Sequence, residues 1–495
     1  MKIATVSALC LAGMALTSVS VYSLTPPGGA AATASVPPTS VPEATAVVAA
    51  APAPEGSSFT VGTTLTVDAT LGNKAWLRGR AGDTYVLLEV KGQSAGKATV
   101  RPPVNLAIVI DRSGSMKGRR IQNAMLAASA AVDRLHDGDV VSVITFDTAT
   151  QVVVPPTAID ARSRASIDAG IRSIALGGDT CLSCGIDQGI IELEKNRDRV
   201  ERMIVLSDGD ANAGVRDVPG FRILAQRARD RGISVTTVGV NVDYNERILG
   251  AIAEESNGQH YFVEDEGALS RAFSDETEAL TSTVASNTEV VIQLAPGVEL
   301  DRVLDRSFRR ADRAITVPLG ALSKGEVKTV LLKIRTPAIT EGSAAVAGIE
   351  LNYRDLVSGG PAHAGGKLRA DVTDDATLAG QIDPAVGARL SRSETATALT
   401  EANQLFSQGK IEDARKKLDS EARRVREAQS LATKAPPAKK PSIDRDLAKQ
   451  AEVLDRANNR FKPGEKSDAT NPFQGSNEGK GAVRENGATI VDLRK

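Results

Sequence analysis

An aspartate and two serines follow an apolar run at two-residue steps in the stretch NLAIVIDRSGSMKG. The apolar residues 106–110 predict a buried strand, which places Asp111 at its carboxyl end. Gly114 allows the following loop to curl, so that the hydroxyls of Ser113 and Ser115 face back toward the carboxylate. Converging carboxylate and hydroxyl oxygens are the ligands that a small hard cation such as Mg²⁺ requires.

Two further segments offer the oxygens that this loop alone cannot supply. IVLSDGDANAG places Asp208 after another apolar strand, and LGGDTCLSCGI places Thr180 in a Gly-rich loop before a helix. In doubly wound sheets, ligands bind beyond the carboxyl ends of the strands. We therefore expect five residues to meet around one cation, namely Asp111, Ser113, Ser115, Thr180 and Asp208.

This set resembles the metal-ion-dependent adhesion site of von Willebrand factor A-type domains, whose pattern is Asp-x-Ser-x-Ser, then a Thr, then an Asp. The resemblance covers residues 105–283, and every motif position carries the residue type of the family. It implies that the first-loop residues and Asp208 bind the ion directly or through water, and that Thr180 binds it when a ligand is engaged. It also implies Mg²⁺ as the ion, with Mn²⁺ or Ca²⁺ as alternatives, and a protein partner whose exposed Asp or Glu completes the coordination.

The elements that must position these residues alternate between strand and helix patterns over residues 105–283. Near-continuous apolar strands between amphipathic helices predict an α/β fold. Its sheet is expected to be doubly wound, mostly parallel and six-stranded, as in Rossmann-like domains. The segments 58–104 and 284–374 alternate apolar and polar residues, which favours antiparallel strands. We expect these two segments to form one β-sandwich into which the central domain is inserted. This layout is similar to bacterial extracytoplasmic relatives of the calcium-activated chloride channel regulators and inter-alpha-trypsin inhibitor heavy chains.

Helical spacing dominates residues 375–462. There, apolar residues on both sides of Gly409 predict a helical hairpin that looks like a single tetratricopeptide-type repeat. The polar, Gly-rich tail 463–495 is predicted to be disordered. At the other end, residues 1–34 have the layout of a signal peptide or signal anchor, followed by a Pro/Ala-rich linker at 35–57. We therefore expect an extracytoplasmic protein (periplasmic, secreted or anchored), with membrane contact only if the N-terminal segment stays uncleaved.

Cys181 and Cys184 form a C-x-x-C pair directly after Thr180. Such a pair can be a redox centre or half of a zinc site, but the chain has only three cysteines and three histidines. In an oxidising compartment a local disulfide is favoured. We expect this disulfide to stiffen the Thr180 loop and so to bias the metal site.

The function predicted from these features is partner binding through Mg²⁺ in adhesion or complex assembly. A net charge of -1 and an aromatic content of 3% argue against nucleic-acid binding. Because no general base is identifiable, we expect no enzymatic activity, and a metal-dependent hydrolase is the weaker alternative. The other alternative is a periplasmic scaffold that acts through its helical C-terminal region with an idle metal site.

Overall fold

The computed structural model describes residues 54–93, 102–208, 210–241, 244–433, 435–437, 439–462 and 476–495. The signal segment predicted at 1–34 and most of the linker predicted at 35–57 lie outside these residues. Within them, no helix combines the length and the apolar character needed to cross a membrane. The described part of the chain begins with five strands: β1 (Glu55–Gly56), β2 (Ser58–Gly62), β3 (Leu65–Leu71), β4 (Ala75–Leu77) and β5 (Gly82–Gly92).

The central segment alternates strands and helices and forms one six-stranded sheet. Its elements are β6 (Val104–Asp111), a 3-10 turn (Gly114–Met116), α1 (Arg119–Arg134), β7 (Val140–Phe146), β8 (Thr150–Ala158), α2 (Ser163–Arg172), α3 (Leu182–Glu194), β9 (Val200–Ser207), α4 (Val218–Arg229), β10 (Ser234–Val240), α5 (Glu246–Glu255), β11 (His260–Val263) and α6 (Glu266–Thr281). The strand order is β11-β10-β9-β6-β7-β8. All neighbours are parallel except β7 and β8. The predicted doubly wound, mostly parallel sheet is confirmed.

Helices cover both faces of this sheet, which explains why its central strands carry runs of consecutive apolar residues. All eight residues of β6 are buried. Leu106 and Ile108 pack into the core beneath α1, α2 and α6, whereas Ala107 and Val109 pack into the core beneath α3, α4 and α5. Because successive side chains of a strand point to opposite faces, a strand covered on both sides needs apolar residues throughout.

The first five strands and a second group of strands build two sheets that are antiparallel except where β1 and β4 pair in parallel with β18. The second group is β12 (Thr283–Leu294), β13 (Glu299–Leu304), β14 (Arg309–Ala311), β15 (Ala314–Ser323), β16 (Val327–Thr336), β17 (Ser343–Asp355) and β18 (Gly360–Thr373). One sheet has the order β1-β18-β17-β12-β15-β14 with β4 also on β18, and the other has the order β13-β16-β5-β3-β2. Both sheets thus contain strands from before and after the central segment, and their inner faces share one hydrophobic core.

Five helices complete the described chain: α7 (Ala376–Ala379), α8 (Pro384–Ser407), α9 (Ile411–Ala432), α10 (Lys440–Arg460) and α11 (Asn477–Leu493). α8 and α9 form a hairpin around Gly409, whose φ of +76° is easily adopted by glycine. Val386 of α8 packs against Leu87 and Leu331, which fixes the helical region to the β-sandwich.

The prediction that residues 463–495 are disordered is wrong for α11. Its Val483 and Leu493 are buried in the core of the helical region. The glycines that suggested disorder allow close packing instead. A Cβ at Gly479 would lie 2.2 Å from the ring of Phe406, and one at Gly487 would lie 3.2 Å from Glu246. Glycine in a helix costs about 1 kcal/mol relative to alanine, and the contacts that it allows offset this cost.

Candidate metal centre

Asp111 ends β6 at the carboxyl edge of the six-stranded sheet and is fully buried. Its Oδ1 accepts a hydrogen bond from the backbone N–H of Ser113 at 2.8 Å, and its Oδ2 accepts one from the hydroxyl of Ser207 at 2.7 Å. Burial raises the pKa of Asp111 to about 6, although these hydrogen bonds favour the ionised form and oppose the rise. The carboxylate therefore has a fixed orientation.

The two serines of the first loop lie next to each other, Ser113 as the N-cap of the 3-10 turn and Ser115 within it. Their hydroxyl oxygens are 3.0 Å apart, and the hydroxyl of Ser115 donates to Asp208 Oδ1 at 2.6 Å. The fully buried side chain of Met116 anchors the turn in the core. The loop thus holds both hydroxyls beside a second carboxylate.

Asp208 directly follows β9, the strand that pairs in parallel with β6. It is fully buried, and its Oδ2 accepts a hydrogen bond from Nη1 of Arg120 at 2.5 Å. The same Nη1 also donates to the backbone oxygen of Ser115 at 3.0 Å. Sequence reasoning missed Arg120. The available signal was an arginine in the first turn of a helix, where the helix dipole disfavours cations.

Thr180 is buried and is tied to the loop after β9 through its backbone. Its N–H donates to Oδ1 of Asn212 at 2.7 Å, and its carbonyl oxygen accepts from the N–H groups of Asn212 and Ala213. The carbonyl of Gly178, two residues earlier, accepts from the N–H of Gly114 in the first loop. The structure therefore joins all three predicted loops, and sequence reasoning also missed Asn212 and Ser207.

Cys181 and Cys184 are joined by a disulfide, with their Cα atoms 5.3 Å apart. The disulfide lies against the loop after β9, because a Cβ at Gly214 would be 2.7 Å from Sγ of Cys181. The neighbouring hydroxyl of Ser183 accepts a hydrogen bond from the N–H of Val215 in the same loop. The disulfide thus supports the contact between the second and third loops.

The donor chemistry of these loops fits a small divalent cation. Carboxylate and hydroxyl oxygens suit Mg²⁺, whose bonds of about 2.1 Å put adjacent ligand oxygens about 3 Å apart. The spacing of 3.0 Å between the two serine hydroxyls matches this value. Among the described residues, no group of three or more His, Cys, Asp or Glu side chains is arranged to hold a metal ion. The candidate site therefore combines carboxylates with hydroxyl groups.

The fold and the loop cluster define the class: an α/β domain with a doubly wound sheet and an oxygen-rich ligand edge. Residues 105–275 match the family model of the von Willebrand factor type A domain. The chain therefore contains a von Willebrand factor type A (VWA) domain.

Similar proteins support this result. An uncharacterized protein of Synechocystis is 27% identical over 270 residues, which are 52% of this chain and 63% of that protein. Human inter-alpha-trypsin inhibitor heavy chain H4 is 31% identical over 166 residues, which are 32% of this chain and 18% of that protein. The chain thus spans less than two thirds of these relatives. A solved von Willebrand factor type A structure from Catenulispora acidiphila has a TM-score of 0.65 at 18% identity, covering 86% of this chain and 95% of that chain. This likeness shows the shared fold.

Proposed function

We propose that the protein is exported and that its VWA domain binds a protein partner through Mg²⁺. The observation that carries this proposal is the hydrogen-bonded cluster of oxygens from separate loops at one edge of the sheet. Export rests on the N-terminal sequence, with its early lysine and apolar segment. The residues that would hold the ion are Asp111, Ser113, Ser115, Thr180 and Asp208.

The side chains of the cluster are suited to recognition of an acidic group. Only two of the five proposed ligands carry a negative charge, and the three hydroxyls are neutral. The hydrogen bonds to Asp111 hold its carboxylate in place before any ligand arrives, which reduces the ordering that binding requires. When bound, Mg²⁺ would keep a coordination position open for an Asp or Glu carboxylate of the partner, because five protein ligands do not fill an octahedral shell.

Catalysis is the weaker alternative because the histidines do not lie with the cluster. His260 is buried between the hydroxyls of Thr237 and Tyr244, and burial lowers its pKa to about 4. His136 follows α1 at the end of that helix remote from the 3-10 turn. We therefore propose binding as the activity of this domain.

A direct test is calorimetric titration of Mg²⁺ into the purified chain and into Asp111→Ala. We expect the heat of binding to disappear in Asp111→Ala, because a fully buried carboxylate of the cluster is lost. Asp179→Ala is the matched control, since Asp179 is exposed in the neighbouring loop, and we expect it to bind like the wild type. Equal binding in all three proteins would contradict the proposal and favour the alternative of a scaffold acting through α8 to α11.

A further inference from the structure

Arg120 occupies a position in the first turn of α1 that is electrostatically unfavourable for a cation. α1 begins at Arg119, and its N-cap residue Gly118 provides no side-chain cap. The N-terminus of a helix carries a partial positive charge, which favours carboxylates and disfavours cations by about 0.3–1 kcal/mol. An ion pair with a nearby carboxylate offsets this cost, and this carboxylate belongs to the candidate metal centre.

The compensating group is the carboxylate of Asp208, with Nη1 of Arg120 2.5 Å from its Oδ2. The side chain of Arg120 is 30% exposed, whereas that of Asp208 is completely buried. The other carboxylate oxygen already accepts from the hydroxyl of Ser115. Both oxygens of this proposed metal ligand are therefore engaged by groups from the segment that follows β6.

We propose that Arg120 is the internal counter-cation of the metal centre: it neutralises Asp208 in the metal-free protein and competes with the divalent ion for that carboxylate. This inference rests on the proposed function, because it takes the oxygen cluster to be a cation site. It goes further in assigning a role to a residue outside the Asp-x-Ser-x-Ser, Thr and Asp pattern.

The charges of the cluster support this role. Asp111 and Asp208 are both fully buried at the ends of adjacent strands, where their mutual repulsion is weakly screened. A cation at Asp208 reduces this repulsion and keeps the first loop close to β9 when no ion is bound. The same cation opposes an arriving divalent ion, because like charges repel at short range. Arg120 thus stabilises the metal-free arrangement and weakens the affinity for the ion.

The test compares Arg120→Gln with the matched control Arg119→Gln, which removes an exposed arginine from the same helical turn. Mg²⁺ is titrated by calorimetry, and the melting temperature of the metal-free chain is measured in parallel. For Arg120→Gln we expect Mg²⁺ to bind about tenfold more tightly. We also expect the metal-free protein to melt about 3 °C lower, because Asp208 stays buried without its ion pair. Arg119→Gln should match the wild type in both measurements.

The conservative variant Arg120→Lys separates charge from shape. Because lysine keeps the positive charge, we expect its Mg²⁺ affinity to stay within about twofold of the wild type. Tight binding by Arg120→Lys, equal to that of Arg120→Gln, would contradict competition by charge.

The remaining outcomes distinguish this inference from the proposed function. If the wild type binds Mg²⁺ and Arg120→Gln binds it with the same affinity, the role of Arg120 is contradicted while the metal site stands. If only Arg120→Gln binds, competition is supported, but Mg²⁺-dependent recognition by the native chain is contradicted. If no variant binds Mg²⁺, both proposals are contradicted.

Discussion

The structure contains two groups of buried charged side chains. One group lies at the carboxyl edge of the six-stranded sheet, and the other lies between this sheet and the β-sandwich. We call the second group the junction cluster, which contains the charged residues Arg202, Glu276, Glu326 and Lys328, together with Tyr261, whose hydroxyl donates to Glu276. Arg202 donates to Glu276 Oε2 at 2.6 Å, and both residues are almost completely buried. The hydroxyls of Thr236 and Tyr261 also donate to this carboxylate. At the candidate metal centre, serine hydroxyls likewise donate to the carboxylates, but the side chain of the arginine of the pair, Arg120, is 30% exposed.

The two groups differ in the burial of the arginine, and this difference suggests how a fold could separate charges that stabilise it from charges that remain available to a ligand. In the junction cluster, both members of the carboxylate–guanidinium pair are buried, so each needs the other to remain buried. At the candidate metal centre, the hydroxyl hydrogens of the serines can rotate away, so that the oxygen lone pairs become available to a cation. We therefore expect substitutions at the junction to change stability and substitutions at the edge to change metal affinity.

The largest effect on stability is expected for Glu276→Gln. This change leaves Arg202, which is 7% exposed, without its carboxylate. Because removing one partner of a buried ion pair is strongly destabilising, we expect a loss of about 3 kcal/mol in the free energy of unfolding. The measurement is urea unfolding, evaluated at the first transition. The exposed neighbour variant Glu278→Gln is the control and should change stability little. An equal effect of both variants would show that the junction pair is not essential.

A smaller effect is expected from removing the disulfide with Cys181→Ser and Cys184→Ser. The bond closes a loop of only four residues, for which chain entropy predicts a stabilisation of about 2 kcal/mol. Because the disulfide lies against Gly214 of the third loop, we also expect weaker Mg²⁺ binding in calorimetry. Reduced wild type should behave like the double variant, which itself should not respond to reductant. Unchanged folding and affinity would contradict a role in stiffening the site.

The smallest effect concerns the pH dependence that Lys328 confers. Burial lowers its pKa to about 8, while the unfolded chain keeps the ordinary value near 10.5. Between these values the unfolded state binds more protons, so this group makes stability increase as pH rises from 8 to 10. We expect an increase on the order of 1 kcal/mol in urea unfolding, absent in Lys328→Met and present in the exposed control Lys324→Met. Equal slopes in the two variants would exclude Lys328 as the source.

Sequence patterns were sufficient to place the candidate ligands at strand ends. The apolar runs before Asp111 and Asp208 predicted their location, because strands covered on both faces of a parallel sheet carry consecutive apolar residues. The structure connects both residues with the serines by hydrogen bonds. The same patterns gave no indication that Arg120 pairs with Asp208, because the two are 88 residues apart.

In the C-terminal segment, by contrast, the sequence pattern led to a wrong prediction. Its composition around Gly479 and Gly487 predicted disorder, but α11 packs there against α8 and α5. Arg484 pairs with Glu246 and lies over the ring of Tyr244. None of these partners is close in sequence, so a local pattern could not reveal them.

The sequence by itself determined the strands and helices of the central domain and the residue types at the candidate metal centre, because periodicity and strand-end positions are local properties. The tertiary structure alone decided which charges pair, through Arg120 with Asp208 and Arg202 with Glu276. It also decided that α11 is folded. The physical reason is that burial and ion pairing depend on neighbours in space, and chain topology brings these neighbours together from distant parts of the sequence.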